Sequence, residues 1–364
     1  MARPRSLIEF VAEFPDEAAC AARLIQHRWP DGFTCPGCGA VRQGNLLRSR
    51  AYTFECRACG RQTSVTAGTI LHRTKLSLTT WFWAAHLVAT HSNGMSALQL
   101  MDQLGVNEKT AWLLLHKIRA AMADRDKELL RGIVEVDQTE IPCREKDPPL
   151  GVGGRDGMLT VVAAVEVVDR RTGSAPPWRP RQKLLGTKPG RVRLKVIPDN
   201  TAATLERFVQ DHVAPGTVVL TDDHRSYNNL RALGYRHYPY LVGKMAAHVV
   251  LPWIHRVFAL IKRWGLGTLH GFRRRHLDRY LEEWAFRFNR RRWRRVSFDR
   301  VLELLVGHAP HDQTAIVGRK PRPHRQNPPV RKTRRQRKTA TGMRQDGPPR
   351  HAAREDLPDP DVPF

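Results

Sequence analysis

Residues 132–141 read GIVEVDQTEI and residues 217–223 read TVVLTDD. Each is a run of β-branched and apolar residues that reaches a carboxylate, Asp137 in the first and Asp222 in the second. Such runs read as buried strands, and two more lie between them, MLTVVAAVEVV (158–168) and RVRLKVIPD (191–199). The helical segment TAATLERFVQDHV (201–213) precedes the fourth strand, and GYRHYPYL (234–241) follows it after a short turn. Three strands in succession and then alternating helix and strand predict an α/β domain with a mixed sheet. Two helices close the domain, with apolar faces marked by Trp253, Val257, Leu260, Ile261 and Trp264 and by Leu277, Tyr280, Leu281, Trp284 and Phe288.

Both carboxylates read as lying at the carboxyl ends of strands, where sites in α/β domains gather. Alone, a strand-end Asp is ordinarily a turn or cap residue. If the first and fourth strands are neighbours, however, Asp137 and Asp222 converge and repel unless a divalent cation lies between them. His255, on the helix that starts near Pro252, offers a third ligand, and Lys262 sits two turns further along the same face.

Upstream, WPDGFTCPGCG and YTFECRACGRQTSVTAGT carry two CxxC pairs, Cys35 with Cys38 and Cys56 with Cys59, seventeen residues apart. That spacing predicts a four-thiolate Zn2+ site, each pair delivering two ligands from one turn. Gly39 and Gly60 follow each pair, where a knuckle needs backbone freedom. Cys20 and Cys143 stand alone and read as small hydrophobes.

From Leu76 to about Arg125 the period is helical, with Ser77 and Ser96 as N-caps. Leu98, Met101 and Leu104 mark one stripe; Ala111, Leu114, Leu115 and Ile118 mark the next after a break at Gly105. Two short helices joined by LGVN fit a helix-turn-helix whose second helix turns Asn107, Lys109, Thr110, Trp112 and His116 towards a DNA groove; a plain helical hairpin between domains fits as well.

The chain of 364 residues carries 61 Lys and Arg against 35 Asp and Glu, a formal charge of +26, and this points to nucleic acid as partner. Gly271 to Arg295 alone holds ten arginines and three acids, too few carboxylates to pair them. Between Arg319 and Arg350 twelve Lys or Arg meet one acid, among many prolines, which reads as a disordered basic tail that strengthens DNA binding or merely stays solvated. A hydrophobic content of 41% excludes a wholly disordered chain. No apolar run approaches the ~20 residues of a spanning helix, and the start lacks a signal-peptide core, so no membrane partner and a cytoplasmic location are expected.

These motifs together resemble a bacterial insertion-sequence transposase of the family numbered fifteen-ninety-five, in the branch whose acidic triad ends in His and is followed by Lys. The resemblance spans about Phe14 to Gly307 and rests on RWPDGFTCPGCG, the MSALQLMDQLGVNEKTAWLLLHKIRAAM segment, VEVDQTEI, VVLTDDHRSYNNL, LPWIHRVFALIKRWGLGTLHG and HLDRYLEEWAFRFNRR. It implies a zinc ribbon over 14–72, a helix-turn-helix segment over 76–126, an RNase H-like catalytic domain over 131–308 and the basic tail over 309–364. It also implies catalytic roles for Asp137, Asp222 and His255 as ligands of two Mg2+ or Mn2+ ions, with Lys262 holding phosphate. Gln138, Glu140 and Asp223 depart from the family pattern, which leaves Asp222 and Asp223 as alternatives for the second ligand. Arg263, Arg273, Arg274, Arg275, Arg290 and Arg291 are expected to position double-stranded DNA, with a homo-oligomer assembled on the element ends. Competing readings are a DNA-binding regulator without chemistry and a nuclease that cuts without joining.

Overall fold

The computed structural model describes residues 6–123, 128–144, 157–178, 184–240, 250–292, 294–311 and 313–317. The expected basic tail from 318 onward lies outside the described residues. The first part of the chain contains α1 (Leu7–Glu13), α2 (Glu17–Arg28), a small antiparallel sheet of β1 (Gly44–Leu46), β2 (Thr53–Cys56) and β3 (Gln62–Ser64), then α3 (Leu78–Thr90), α4 (Ala97–Leu104) and α5 (Glu108–Met122). Helix starts follow side-chain chemistry: Ser77 caps α3, Ser96 and Gln99 form a capping box on α4, and Asn107 caps α5. Gly105 ends α4 with φ +62°, the left-handed conformation that lets α5 begin three residues later.

One correction concerns α4. Leu98, expected on the packing stripe, is 47% exposed, whereas Leu100 is fully buried. The contacting set is Ala97, Leu100, Met101 and Leu104. Its spacing of three, four and seven residues follows the helical period more closely than the expected set did.

The second part is a five-stranded sheet: β4 (Ile133–Pro142), β5 (Met158–Asp169), β6 (Thr187–Ile197), β7 (Val218–Asp222) and β8 (Arg236–Tyr240), in the order β6-β5-β4-β7-β8. β4 pairs antiparallel with β5 and parallel with β7, so the first and fourth strands are neighbours, the condition under which Asp137 and Asp222 approach each other. Helix α6 (Ala202–His212) and the 3-10 turn Arg225–Arg231 cover one face; α7 (Pro252–Leu269) and α8 (Leu277–Asn289) cover the other. The edge strand β6 is also covered, because Asn289 pairs with both backbone groups of Val192 and Asp278 accepts the Val196 amide.

Asp137 does not end its strand. β4 runs on to Pro142 because β5 pairs with it along its whole length, while the parallel partner β7 stops at Asp222. Leu260, expected on the buried face of α7, is 37% exposed.

Helix α9 (Arg294–Gly307) leaves the sheet and buries Phe298, Val301, Leu302 and Leu305 among α2, α3 and α5. Phe298 meets Phe10, Phe14 and Phe82 edge-on there. The hydrophobic cores therefore divide the chain differently from the expected boundaries: the cysteine ribbon, the paired helices and α9 share one core. A last short helix, α10 (Gln313–Val317), extends order past 308 and buries Ile316 beside α5.

Candidate active site

Alternation along β4 sends Glu135, Asp137 and Thr139 to the α7 side, and each meets that helix. One oxygen of Glu135 accepts the amides of Trp253 at 2.9 Å and Ile254 at 2.8 Å. Asp137 Oδ2 lies 3.5 Å from His255 Nε2. The Lys262 amine donates to Thr139 Oγ1 at 3.0 Å. From 135 to 139 the strand advances about 13 Å, and from the 253–254 peptide to 262 the helix also advances about 13 Å. Strand and helix thus run side by side in matched register, and the expected pair His255 and Lys262 arrives on the carboxylate face.

Asp222 closes β7 and is half-buried. The β4–β7 register, continued two residues beyond Glu135↔Leu220, sets Asp222 beside Asp137. Burial, with the Asp222 charge adding to it, pushes the Asp137 carboxyl up to about 7. Asp223 is exposed, and its charge acts on His237. On the opposite face of β4 the buried Tyr227 hydroxyl donates to Gln138 Oε1 at 2.6 Å, so Gln138 ties the strand to the 3-10 turn.

The donor set suits a hard divalent cation. His255 lies against Asp137, and Asp222 holds the neighbouring strand position, which puts two carboxylates and one imidazole on one face; among the described residues no Lys or Arg is ion-paired with either carboxylate. Mg2+ and Mn2+ accept that combination of oxygen and nitrogen.

A second candidate metal centre lies in the first part of the chain. The sulfurs of Cys35, Cys38, Cys56 and Cys59 all fall within 4.8 Å of one another, with Cys35–Cys59 and Cys38–Cys56 at 3.6 Å. Four thiolates at about 2.3 Å from one tetrahedral ion stand about 3.8 Å apart, so the cluster fits zinc. Gly39 and Gly60 take φ +74° and +70°, the freedom the knuckles require. Amides of Cys38 and Gly37 hold the Cys35 thiol down, whereas the neighbouring sulfurs push the Cys59 thiol up, so without a cation the four cannot all ionise together and a metal would have to stabilise the full thiolate set.

The expected DNA-contact residues divide. Lys109 and Arg275 are exposed. Arg263 is exposed on α7. Asn107 is exposed as well, but its oxygen is committed to the Thr110 amide at 2.8 Å. Trp112 and His116 are not turned outwards: His116 is fully buried, in tilted ring contact with Trp112 and His276. Arg274 donates to the Met158 carbonyl and Arg291 to the carbonyls of Pro189, Gly190 and Phe288, while Arg290 lies over the Phe286 ring. Arg273 stands at the start of the turn before α8 and makes no side-chain capping hydrogen bond. Arg274, Arg290 and Arg291 hold backbone or rings, a use that composition alone does not distinguish from phosphate binding. Glu135 and Thr139 were missed, although an acid two residues before Asp137 in an apolar strand must share its face.

Residues 15–62 match the family model described as the transposase zinc-ribbon domain, and residues 129–289 match the ISXO2-like transposase domain. A relative described as an uncharacterized protein in transposable element ISH50 of Halobacterium salinarum is 28% identical over 235 residues, covering 60% of this chain and 72% of the relative. The first match contains all four clustered cysteines and the second contains Glu135, Asp137, Asp222, His255 and Lys262. With both regions matched in order and a transposable-element relative spanning much of the chain, the protein belongs to the insertion-sequence transposases of the family numbered fifteen-ninety-five.

Proposed function

We propose that the chain binds the terminal inverted repeats of its insertion sequence and cuts and joins DNA at the face formed by β4, β7 and α7. The observation that carries this reading is the meeting of Asp137 with His255 at 3.5 Å beside the strand position of Asp222, on one face of a mixed sheet. The strand order β6-β5-β4-β7-β8, with the first three strands antiparallel and the last two parallel, supports an RNase H-like assignment.

Asp137 and Asp222 would hold divalent cations together with His255. Bound there, the cations would supply Lewis-acid stabilisation of the attacking and leaving oxygens of an in-line phosphoryl transfer. Asp137, buried on the central strand, would be one of the ligands. Lys262 is held by Thr139 through one hydrogen bond, which leaves ammonium protons to face a phosphate oxygen. Cys35, Cys38, Cys56 and Cys59 would hold a structural Zn2+, and α4 with α5 would act as a helix-turn-helix presenting Lys109 near the start of its second helix.

The test combines purified protein, duplexes bearing the element ends, Mg2+ and a target plasmid. Strand cleavage and joined product from the parent, and neither from Asp137→Asn, is the expected result. Cleavage without a joined product would reduce the protein to a nuclease. Binding without cleavage would leave a DNA-binding regulator.

A further inference from the structure

Helix α7 carries a second stripe. His255 and Lys262, which face the carboxylates, are each followed at once by an arginine, Arg256 and Arg263. One residue is about 100° of helix, so the two arginines form a parallel stripe about 9 Å around the helix from the catalytic one. Both are exposed, and among the described residues neither has a hydrogen bond or an ion pair.

The arginine stripe borders a cleft between α7, α8 and the start of β6. Its floor is apolar, made by the exposed Leu260 and the ring of Phe288. Its far wall is cationic, with Arg170, Lys188 and Arg292. Arg170, Lys188, Arg256, Arg291 and Arg292 line this cleft with no carboxylate, and Arg263 lines the adjoining hollow that shares Leu260 and Phe288 with it, again with no carboxylate. Like charges gathered with no acid repel, and a polyanion relieves that repulsion. Arg291 is committed to backbone carbonyls, but Arg256, Arg263 and Arg292 are not.

We propose that this cleft is a sequence-independent DNA groove, which takes the backbone of the DNA flanking the scissile phosphate as it passes over α7. The inference rests on the catalytic reading of the α7–β4 face for its geometry. The offset of about 9 Å corresponds to roughly three base-pair rises, so one continuous backbone can meet both stripes. The cleft offers guanidinium and ammonium groups and an apolar floor. These grip phosphate and sugar and carry no base sequence, which is what DNA outside the terminal repeat requires.

The test uses the full chain and two terminal-repeat duplexes, one extended by random flanking sequence and one ending at the cleavage point. Binding is measured across a salt series for the parent, for the double variant Arg256→Ala/Arg263→Ala, and for Arg207→Ala. Arg207 is a control, ion-paired with Asp211 on the opposite side of the sheet. Loss of two phosphate contacts should lower the slope of log K against log salt by about 2 on the flanked duplex. On the duplex without a flank the double variant should match the parent, and Arg207→Ala should match it on both. An unchanged slope on the flanked duplex overturns the groove, and an equal fall on both duplexes overturns its assignment to flanking DNA. A parent that shows the predicted slopes but never cleaves would instead sink the catalytic reading and leave the groove standing.

Discussion

The carboxylate of Glu135 on β4 accepts the backbone amide of Ile254 in the first turn of α7 at 2.8 Å, inside the protein where neither group meets water. The same oxygen takes the Trp253 amide. Helix α7 needs this help, because Leu251 gives its start no side-chain cap and Pro252 brings no amide of its own. The buried Glu135 side chain satisfies the orphan amides at the start of the helix with a carboxyl oxygen. The first turn of α7, which carries His255, is thereby fixed to the strand that carries Asp137.

Glu135→Ala should destabilise the protein by about 2–4 kcal/mol, the cost of leaving two buried amides without an acceptor. Glu135→Gln keeps an acceptor oxygen of the same reach and should stay within about 1 kcal/mol of the parent. Urea unfolding of the three proteins measures both. An alanine variant as stable as the parent would show that the helix start is held by other contacts.

The strands themselves, the mixed sheet and the cysteine cluster were legible in the sequence, because period-two runs and CxxC pairs encode local geometry directly, whereas the adjacency of β4 and β7 stood only as a condition until the fold supplied it. The extent of β4 was not. Its continuation past Asp137 depends on pairing with β5, a contact some twenty residues away in sequence that no local pattern announces. The placement of α9 in the first core was hidden for the same reason. Arginine roles were the least legible: Arg263 and Arg274 look alike in composition, and only the fold shows that one meets solvent and the other the Met158 carbonyl.

Zinc should be stoichiometric in protein prepared under reducing conditions. Its removal should expose residues 34–66 to hydrogen exchange while the five-stranded sheet keeps its protection, because β1–β3 are too short to hold their form without the metal. Cys35 and Cys56 share a core with Trp29 and Phe33, so the adjoining end of α2 should loosen as well. Metal analysis without zinc, or exchange spread evenly over both parts, would refute this.

Above about pH 6.5 and without added divalent cation, stability should fall as pH rises. Burial holds the carboxyls of Asp137 and Glu135 up at about 7 and about 8, against ordinary values of 3.8 and 4.5. In that range the folded chain keeps protons that the unfolded chain has released, so raising pH favours unfolding until both groups ionise. Below about pH 6.5 the trend is opposed, because burial holds His86, His237 and His276 down at about 4 and His116 lower still, and unfolding lets these rings take up protons. Mg2+ binds the ionised form and should reverse the trend near pH 8. Thermal melts at pH 7 and pH 8, with and without Mg2+, test the sign. Asp137→Asn should raise the metal-free melting temperature at pH 8 and change it little at pH 5.

The end of the chain separates folding from DNA binding. Cutting after Gly307 removes Ile316, which is 3% exposed beside α5, and the carbonyl that accepts Arg279 at 3.1 Å, so that truncation should cost stability. Cutting after Gly318 spares both and removes the Arg- and Lys-rich segment. It should leave unfolding unchanged and lower the salt slope on any duplex, since fewer phosphates are neutralised. An unchanged slope would take the tail out of the DNA interface.

His255→Ala should abolish cleavage of the element ends, while His255→Glu should retain part of it. The imidazole nitrogen lies 3.5 Å from Asp137 Oδ2, on the same face as the Asp222 neighbour, so alanine removes one donor of three. Glutamate restores an oxygen donor that suits Mg2+ better than Mn2+, and the ratio of Mg2+-supported to Mn2+-supported activity should rise in that variant. Lys262→Ala acts on a different partner. It frees Thr139 and removes an ammonium that faces phosphate, so it should weaken engagement of the cleaved strand and leave Mn2+ affinity unchanged. Calorimetric Mn2+ titration of the parent and the three variants, beside cleavage assays, separates ligand loss from phosphate loss. Parental cleavage by His255→Ala would move the third ligand elsewhere, with Asp223 and Glu140 the next residues to replace.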